Sequence, residues 1–122
     1  MRSNPRVEAA RSLSTPLGQI TVSADVVARI VGHTAAECYG VVGMAGRGVG
    51  RLLPIGRLAQ GVEVGGSGEG LAIDLDVIVE YGLNLVEVAA AVRSRVGYEV
   101  ERLTGLPVAR VEVHIRDVRR SE

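Results

Sequence analysis

The sequence predicts an α+β domain of two layers, a mixed β-sheet with two amphipathic helices packed on one of its faces. Three observations predict it. A period-two alternation runs from Leu71 to Tyr81; two stretches of helical periodicity each end at a glycine followed by an apolar run; and a glycine-rich reversal separates two strand-like segments in mid-chain. A length of 122 residues suits one such core and is short for two. The expected boundaries are a flexible tail over residues 1–16, a single domain over 17–118 and a C-terminal tail over 119–122.

Taken in order, residues 1–16 mix Arg, Ser, Asn and Pro without sustained periodicity and predict no fold of their own. Gly18 to Ser23 reads as a short strand with Ile20 and Val22 inward. Ser23 or Asp25 can then cap a helix whose buried stripe is Val27, Ile30, Val31, Thr34, Ala35 and Cys38, with Asp25 and Arg29 paired on its outside. Gly40 stops this helix, and Val41 to Met44 is apolar enough for a brief strand. From Ala45 to Gln60 the pattern breaks into GRGVGRLLPIGRLAQ, where glycines and Pro54 separate small apolar clusters from Arg47, Arg51 and Arg57.

The segment GVEV, the turn GGSGEG and the strand from Leu71 then read as a hairpin, because glycines at a reversal supply the positive φ that tight turns demand. In the long strand Leu71, Ile73, Leu75, Val77, Val79 and Tyr81 face inward, and Asp74, Asp76 and Glu80 face water. Asn84 followed by Glu87 has the spacing of a helix N-cap with a reciprocal acceptor. The helix it opens places Leu85, Val88, Ala89, Val92, Val96, Val100 and Leu103 on one stripe. Gly105 ends it and Pro107 blocks continuation. Ala109, Val111, Val113 and Ile115 then alternate with Arg110, Glu112, His114 and Arg116 in a last half-buried strand.

Composition narrows the function classes. Nearly half the residues are apolar, yet Phe and Trp are absent, so the core is built from Val, Leu, Ile and Ala. Fourteen basic side chains, every one an arginine, balance fourteen acidic ones, which removes the electrostatic footprint of a general nucleic-acid binder. Cys38 is the single cysteine, so no internal disulfide can form, and its place on an apolar stripe marks a core residue. No run approaches the ~18–20 apolar residues of a membrane span, and the N-terminus lacks the apolar centre of a signal peptide. A cytoplasmic, soluble chain with no direct membrane insertion is expected.

The segments LGQITVSADVVARIVGHTAAECYGVVGMAG, GVEV, AIDLDVIVEYG and VAAAVRSRVGYEVERLTGLPVARVEVHIRDV resemble the alkaline shock protein, or Gls-type, envelope stress response proteins of bacteria. The resemblance covers nearly all of the expected domain, and its last segment is the most specific. It implies a small non-enzymatic cytoplasmic protein that gathers at the membrane through a membrane-bound partner and helps the cell tolerate envelope stress. The partner implied is a protein; a membrane-anchored one and a second copy of the chain both stay open. The shared motifs are structural glycines and core positions, so no catalytic residue and no cofactor carry over. The chain departs from many members in lacking long charged tails and in its Arg-Gly segment after Met44.

Two sets of residues are candidate contact surfaces. Guanidiniums on a glycine-rich loop, here Arg47, Arg51 and Arg57, can grip an acidic partner or a phosphate through paired hydrogen bonds. An interaction module using them is the first reading, and an anion- or RNA-binding module the alternative, against which stand the balanced charge and the lack of stacking aromatics. The second surface is the strand face carrying Asp74, Asp76, Ile78 and Glu80, read as exposed. Carboxylates two residues apart on a strand lie ~6–7 Å apart and could contribute to a hard-cation site only with more oxygens from elsewhere. A solvated polar face accounts for them without a metal, and no metal site is assigned. His33 and His114 fall on polar faces without a zinc spacing, and GGSGEG is followed by a strand and lacks GK[ST], which excludes a phosphate-cradling loop.

Overall fold

The computed structural model describes residues 9–46 and 52–120. Its first element is a hairpin, β1 (Ala9–Thr15) against β2 (Gly18–Ser23), which forms a two-stranded antiparallel sheet of its own. Residues 9–15 therefore leave the expected tail and join the fold. The signal for them lies in the turn, where Thr15 faces Gly18 across Pro16 and Leu17, and Gly18 takes a φ of 141°, open to glycine and strained for other residues. Because this hairpin stands apart from the main sheet, Ile20 is exposed instead of inward, while Val22 packs on the core.

Helix α1 (Ala24–Ala36) opens at Ser23, whose Oγ accepts a hydrogen bond from the Val26 amide at 3.2 Å. Its inward face carries Val27, Val31, Thr34 and Ala35 as expected, and adds Ala24, Ala28 and Gly32. Cys38 is buried just past the helix; its Sγ donates to the Thr34 carbonyl at 3.4 Å, and burial pushes the thiol up from its ordinary pKa, as suits a core residue. Gly40 turns the chain at φ 87° into β3 (Val41–Met44).

The main sheet has four strands, and β5 (Gly70–Glu80) is its centre. β4 (Val62–Ser67) lies antiparallel to residues 70–75 of β5 and β3 antiparallel to residues 77–79. β6 (Val108–Arg119) runs parallel to β5 from Leu71 to Glu80. A strand has two edges, so β3 and β4 share one edge of β5 in tandem and β6 fills the other. β6 continues one residue past the expected domain end at 118.

Helix α2 (Leu85–Thr104) begins at Asn84, whose Oδ1 accepts from the Glu87 amide at 3.0 Å. It ends at Gly105, which is left-handed at φ 74° and donates its amide to the Glu101 carbonyl. Its buried residues are Val88, Val92, Val96 and Val100, one per turn; Leu85 and Leu103, expected on the stripe, are exposed at the two ends. Both helices contribute to one core over the inner sheet face, where Leu71, Ile73, Leu75, Val77 and Val79 are sealed from solvent. Burial on that scale contributes roughly 1.5–3 kcal/mol per large aliphatic side chain. Tyr81, the last residue of the expected alternation, lies outside the strand and is exposed under the Arg120 guanidinium, 4.7 Å from its ring centroid.

Candidate interaction site

The outer face of the sheet is built by register. Side chains alternate across a strand, so Asp74, Asp76 and Ile78 turn away from the helices, and the parallel pairing of β6 sets Glu112 beside Asp74 and His114 beside Asp76. His114 Nε2 lies 3.4 Å from Asp74 Oδ1. The Arg110 guanidinium stands 4.0 Å from Asp74 Oδ2 and 3.2 Å from Glu112 Oε2. Arg116 Nε donates to Asp76 Oδ1 at 3.1 Å, and the Asp76 side chain is only 6 % exposed. A carboxylate that deep is tolerated because a cation meets it.

This arrangement corrects the expectation of an exposed surface at Asp74, Asp76, Ile78 and Glu80. Ile78 is 0 % exposed, Asp76 is buried, and Asp74 and Glu80 are half-buried. The reason is local. Gly43 is the cross-strand partner of Ile78, and Leu52 Cδ1 lies 2.6 Å from where a Gly43 Cβ would be, so Leu52 occupies the space over the strand pair. An Ala45–Leu52 bridge and a Leu53 amide donating to the Met44 carbonyl at 2.8 Å hold it there.

Sequence reasoning also missed which donors converge. Asp74, Glu112 and His114 bring ligand atoms within 4.8 Å of one another, a set that could hold a divalent cation, whereas Asp76 is turned to Arg116 and does not join it. Arg110 already bridges the two carboxylates, so an ion would have to displace it. Only the β5–β6 register reveals this cluster, because Asp74 lies some 40 residues before His114 in sequence.

The arginine set divides. Arg47 and Arg51 lie outside the described residues, and Arg57 is exposed in a short 3-10 stretch, Ile55–Gly61, that packs on α1. There it opens on a cleft of about 250 Å³ shared with Asp25, Arg29 and His33. A second cleft of about 460 Å³, between α1 and α2, continues from Arg29 and His33 to Arg95 and Arg102. Glu99 engages both of the last two, at 3.9 and 2.8 Å, and its hydrogen bond raises the Arg102 pKa above the ordinary value. Asp25 reaches Arg29 at 3.9 Å. Among the described residues neither Arg57 nor His33 has a carboxylate partner. The sequence held one clue to this juxtaposition: Gly32, in mid-helix, where a Cβ would meet the Leu58 carbonyl carbon and oxygen at 2.9 Å. Close backbone approach there docks Ile55–Gly61, and Arg57 with it, on the helix.

Comparison with known proteins agrees with the resemblance read from the motifs. The uncharacterized protein YloU of Bacillus subtilis is 38 % identical over 112 residues, covering 88 % of this chain and 93 % of its own length. The uncharacterized protein Spy1614 of Streptococcus pyogenes is 32 % identical over the same shares of both chains. A stress response regulator gls24 homolog of Streptococcus pyogenes is 29 % identical over 109 residues, 86 % of this chain and 61 % of its own. No solved structure matches the chain. Among the described residues no helix is long and apolar enough to cross a membrane. Residues 12–120 match the alkaline shock protein 23 family, of cell envelope-related function, and the chain belongs to that family.

Proposed function

We propose that this chain is a non-enzymatic interaction module of the envelope stress response, working in the cytoplasm as a scaffold and brought to the membrane by a protein partner. The family supports the setting, since its function is cell envelope-related and relatives include a stress response regulator homolog. One observation supports the mode of action: among the described residues Arg57 and His33 have no carboxylate partner, on a cleft lined also by Arg29 and its ion-pair partner Asp25. A guanidinium fork left open beside Arg29 and the imidazole of His33 suits an acidic protein segment. Arg47 and Arg51 precede Arg57 in the same Arg-Gly segment of the sequence and lie outside the described residues. Association with a second copy of the chain belongs to the scaffold reading.

The test replaces Arg47, Arg51 and Arg57 together by Gln and compares capture from membrane and cytoplasmic fractions. Folding should be unchanged by circular dichroism, because Arg57 is exposed and makes no ion pair among the described residues. Capture of the wild type's protein partner should be lost, since removing charged groups from a desolvated interface costs about 2–5 kcal/mol. Full retention of that partner would overturn the cleft as its contact. The anion- or RNA-binding reading rests on the same arginines and gives a different result: salt-steep RNA binding that the triple variant abolishes.

A further inference from the structure

We propose that β6 is a self-association edge, through which two copies of the chain pair antiparallel over residues 111–115 and join their sheets. β6 pairs with β5 on one side, and among the described residues no strand lies along its other side. Its inward residues Val111, Val113 and Ile115 are half-buried, whereas Ile73, Leu75 and Val77, their register partners on β5, are sealed. Beside the open edge runs a groove of about 450 Å³ between α2 and β6, lined by Val86, Ala89, Ala90, Val111 and Val113, with Arg93 as a charged member on the helix side. Val86 is 78 % exposed. Unpaired backbone and uncovered apolar surface thus lie on the same side of the molecule.

Natural sheet edges are defended by bulges, prolines or inward charges. The β5–β6 register shifts between Leu71 and Ala72 and again between Val77 and Ile78, so bulges guard both ends of β6. Between them residues 110–115 run in unbroken register with 72–77, with neither Gly nor Pro and with every charge turned to the outer face. That stretch is the undefended part of the edge.

The occupant is a second copy because the stretch is complementary to itself in a single register. A two-fold axis through Val113 sets Val111 against Ile115 of the second copy and Val113 against its own equivalent on the inner face. On the outer face it sets Glu112 against His114, twice. The flanking Arg110 and Arg116 meet across the axis, each already held by carboxylates of its own copy. Moving the axis to Glu112 opposes carboxylate to carboxylate, and moving it to His114 runs the pairing into the bulge at Arg116. Such a two-fold is perpendicular to the sheet, keeps both α2 helices on one face and brings the two grooves together.

The inference rests on the reading of the chain as an interaction module and places a second copy on a surface separate from the Arg57 cleft. Sedimentation velocity on the full chain, over a concentration series into the high micromolar range, should give a monomer–dimer equilibrium. Val86→Glu and Glu112→Arg, both at exposed positions, should keep the wild-type circular dichroism spectrum and each weaken dimerisation about tenfold or more. Hydrogen exchange of the 111–115 amides should slow as concentration rises. A wild type that stays monomeric throughout, or a dimer that both variants leave intact, overturns the proposal. The Arg47, Arg51, Arg57→Gln variant should dimerise as the wild type does, so loss of the cleft's partner and loss of the dimer are separable results.

Discussion

β5 and β6 run side by side in parallel and carry nearly the same alternation of apolar and charged residues, yet one is sealed and the other is not. Leu75 pairs with Val113 and Val77 with Ile115, but the β5 member of each pair is fully buried and the β6 member half-exposed. Alternation decides which face a side chain takes; the number of neighbouring strands decides how deep it lies. β5 has β3 and β4 on one edge and β6 on the other, while β6 has β5 alone among the described residues. The outer faces differ in the same sense: on β5 Asp76 and Ile78 are buried, and on β6 the Arg110, Glu112 and Arg116 side chains are about half exposed.

Leu75→Ala should break the centre of this arrangement and have the largest effect. Leu75 is enclosed by both flanking strands and the helix layer, so its truncation leaves a cavity and should cost about 2–5 kcal/mol in denaturant unfolding. A cost below ~1 kcal/mol would show that the layer over β5 relaxes into the gap, and that enclosure by two strands confers less than the burial indicates.

The comparison is sharpened by one substitution made at two depths. Val77→Ala should cost about 1–3 kcal/mol and Val113→Ala under about 1 kcal/mol, because only the first residue is fully enclosed. Measured at low protein concentration, the gap reports β6 as a bare edge. If two copies pair through 111–115, Val113 gains cover and the gap should narrow as concentration rises. Equal costs at every concentration would show that half-exposure at Val113 has no energetic meaning.

The two strands also mark how far the sequence can be read. The core is legible, since alternation in β5 and the spacing of Val88, Val92, Val96 and Val100 set the inward faces, and the caps at Asn84 and Gly105 follow from local chemistry. What escapes depends on which strand lies beside which. Ile78 reads as exposed because nothing local announces that Leu52 folds over Gly43, and the Asp74, Glu112 and His114 cluster exists only in the β5–β6 register. The β1 strand has only the turn at Gly18 to announce it, since its partner and not its composition makes it a strand. Arg57 stands out in the sequence as a contact candidate without its neighbours Arg29 and His33, which reach it through the docking of Ile55–Gly61 on α1.

An effect smaller than any in the core of β5 is expected where the chain leaves α2 for β6. Gly70 and Gly105 both have positive φ, but they differ in surroundings as the two strands do. A Cβ on Gly70, at the start of β5, would meet the Pro107 carbonyl oxygen at 2.7 Å, whereas a Cβ on Gly105 would meet nothing within 4 Å. Gly105→Ala therefore carries the conformational cost of a left-handed alanine without a clash, and thermal or denaturant unfolding should show a loss of about 1 kcal/mol. The loss should leave β6 in place, because the Leu71 amide still bonds the Pro107 carbonyl at 2.9 Å and the Val108 amide still bonds Glu101 Oε2 at 2.9 Å. Unchanged stability would mean that α2 can stop without its left-handed cap. A loss of several kcal/mol would mean that Gly105 sets the path of β6 along β5, so that the exposed edge depends on the helix stop as much as on the strand's own sequence.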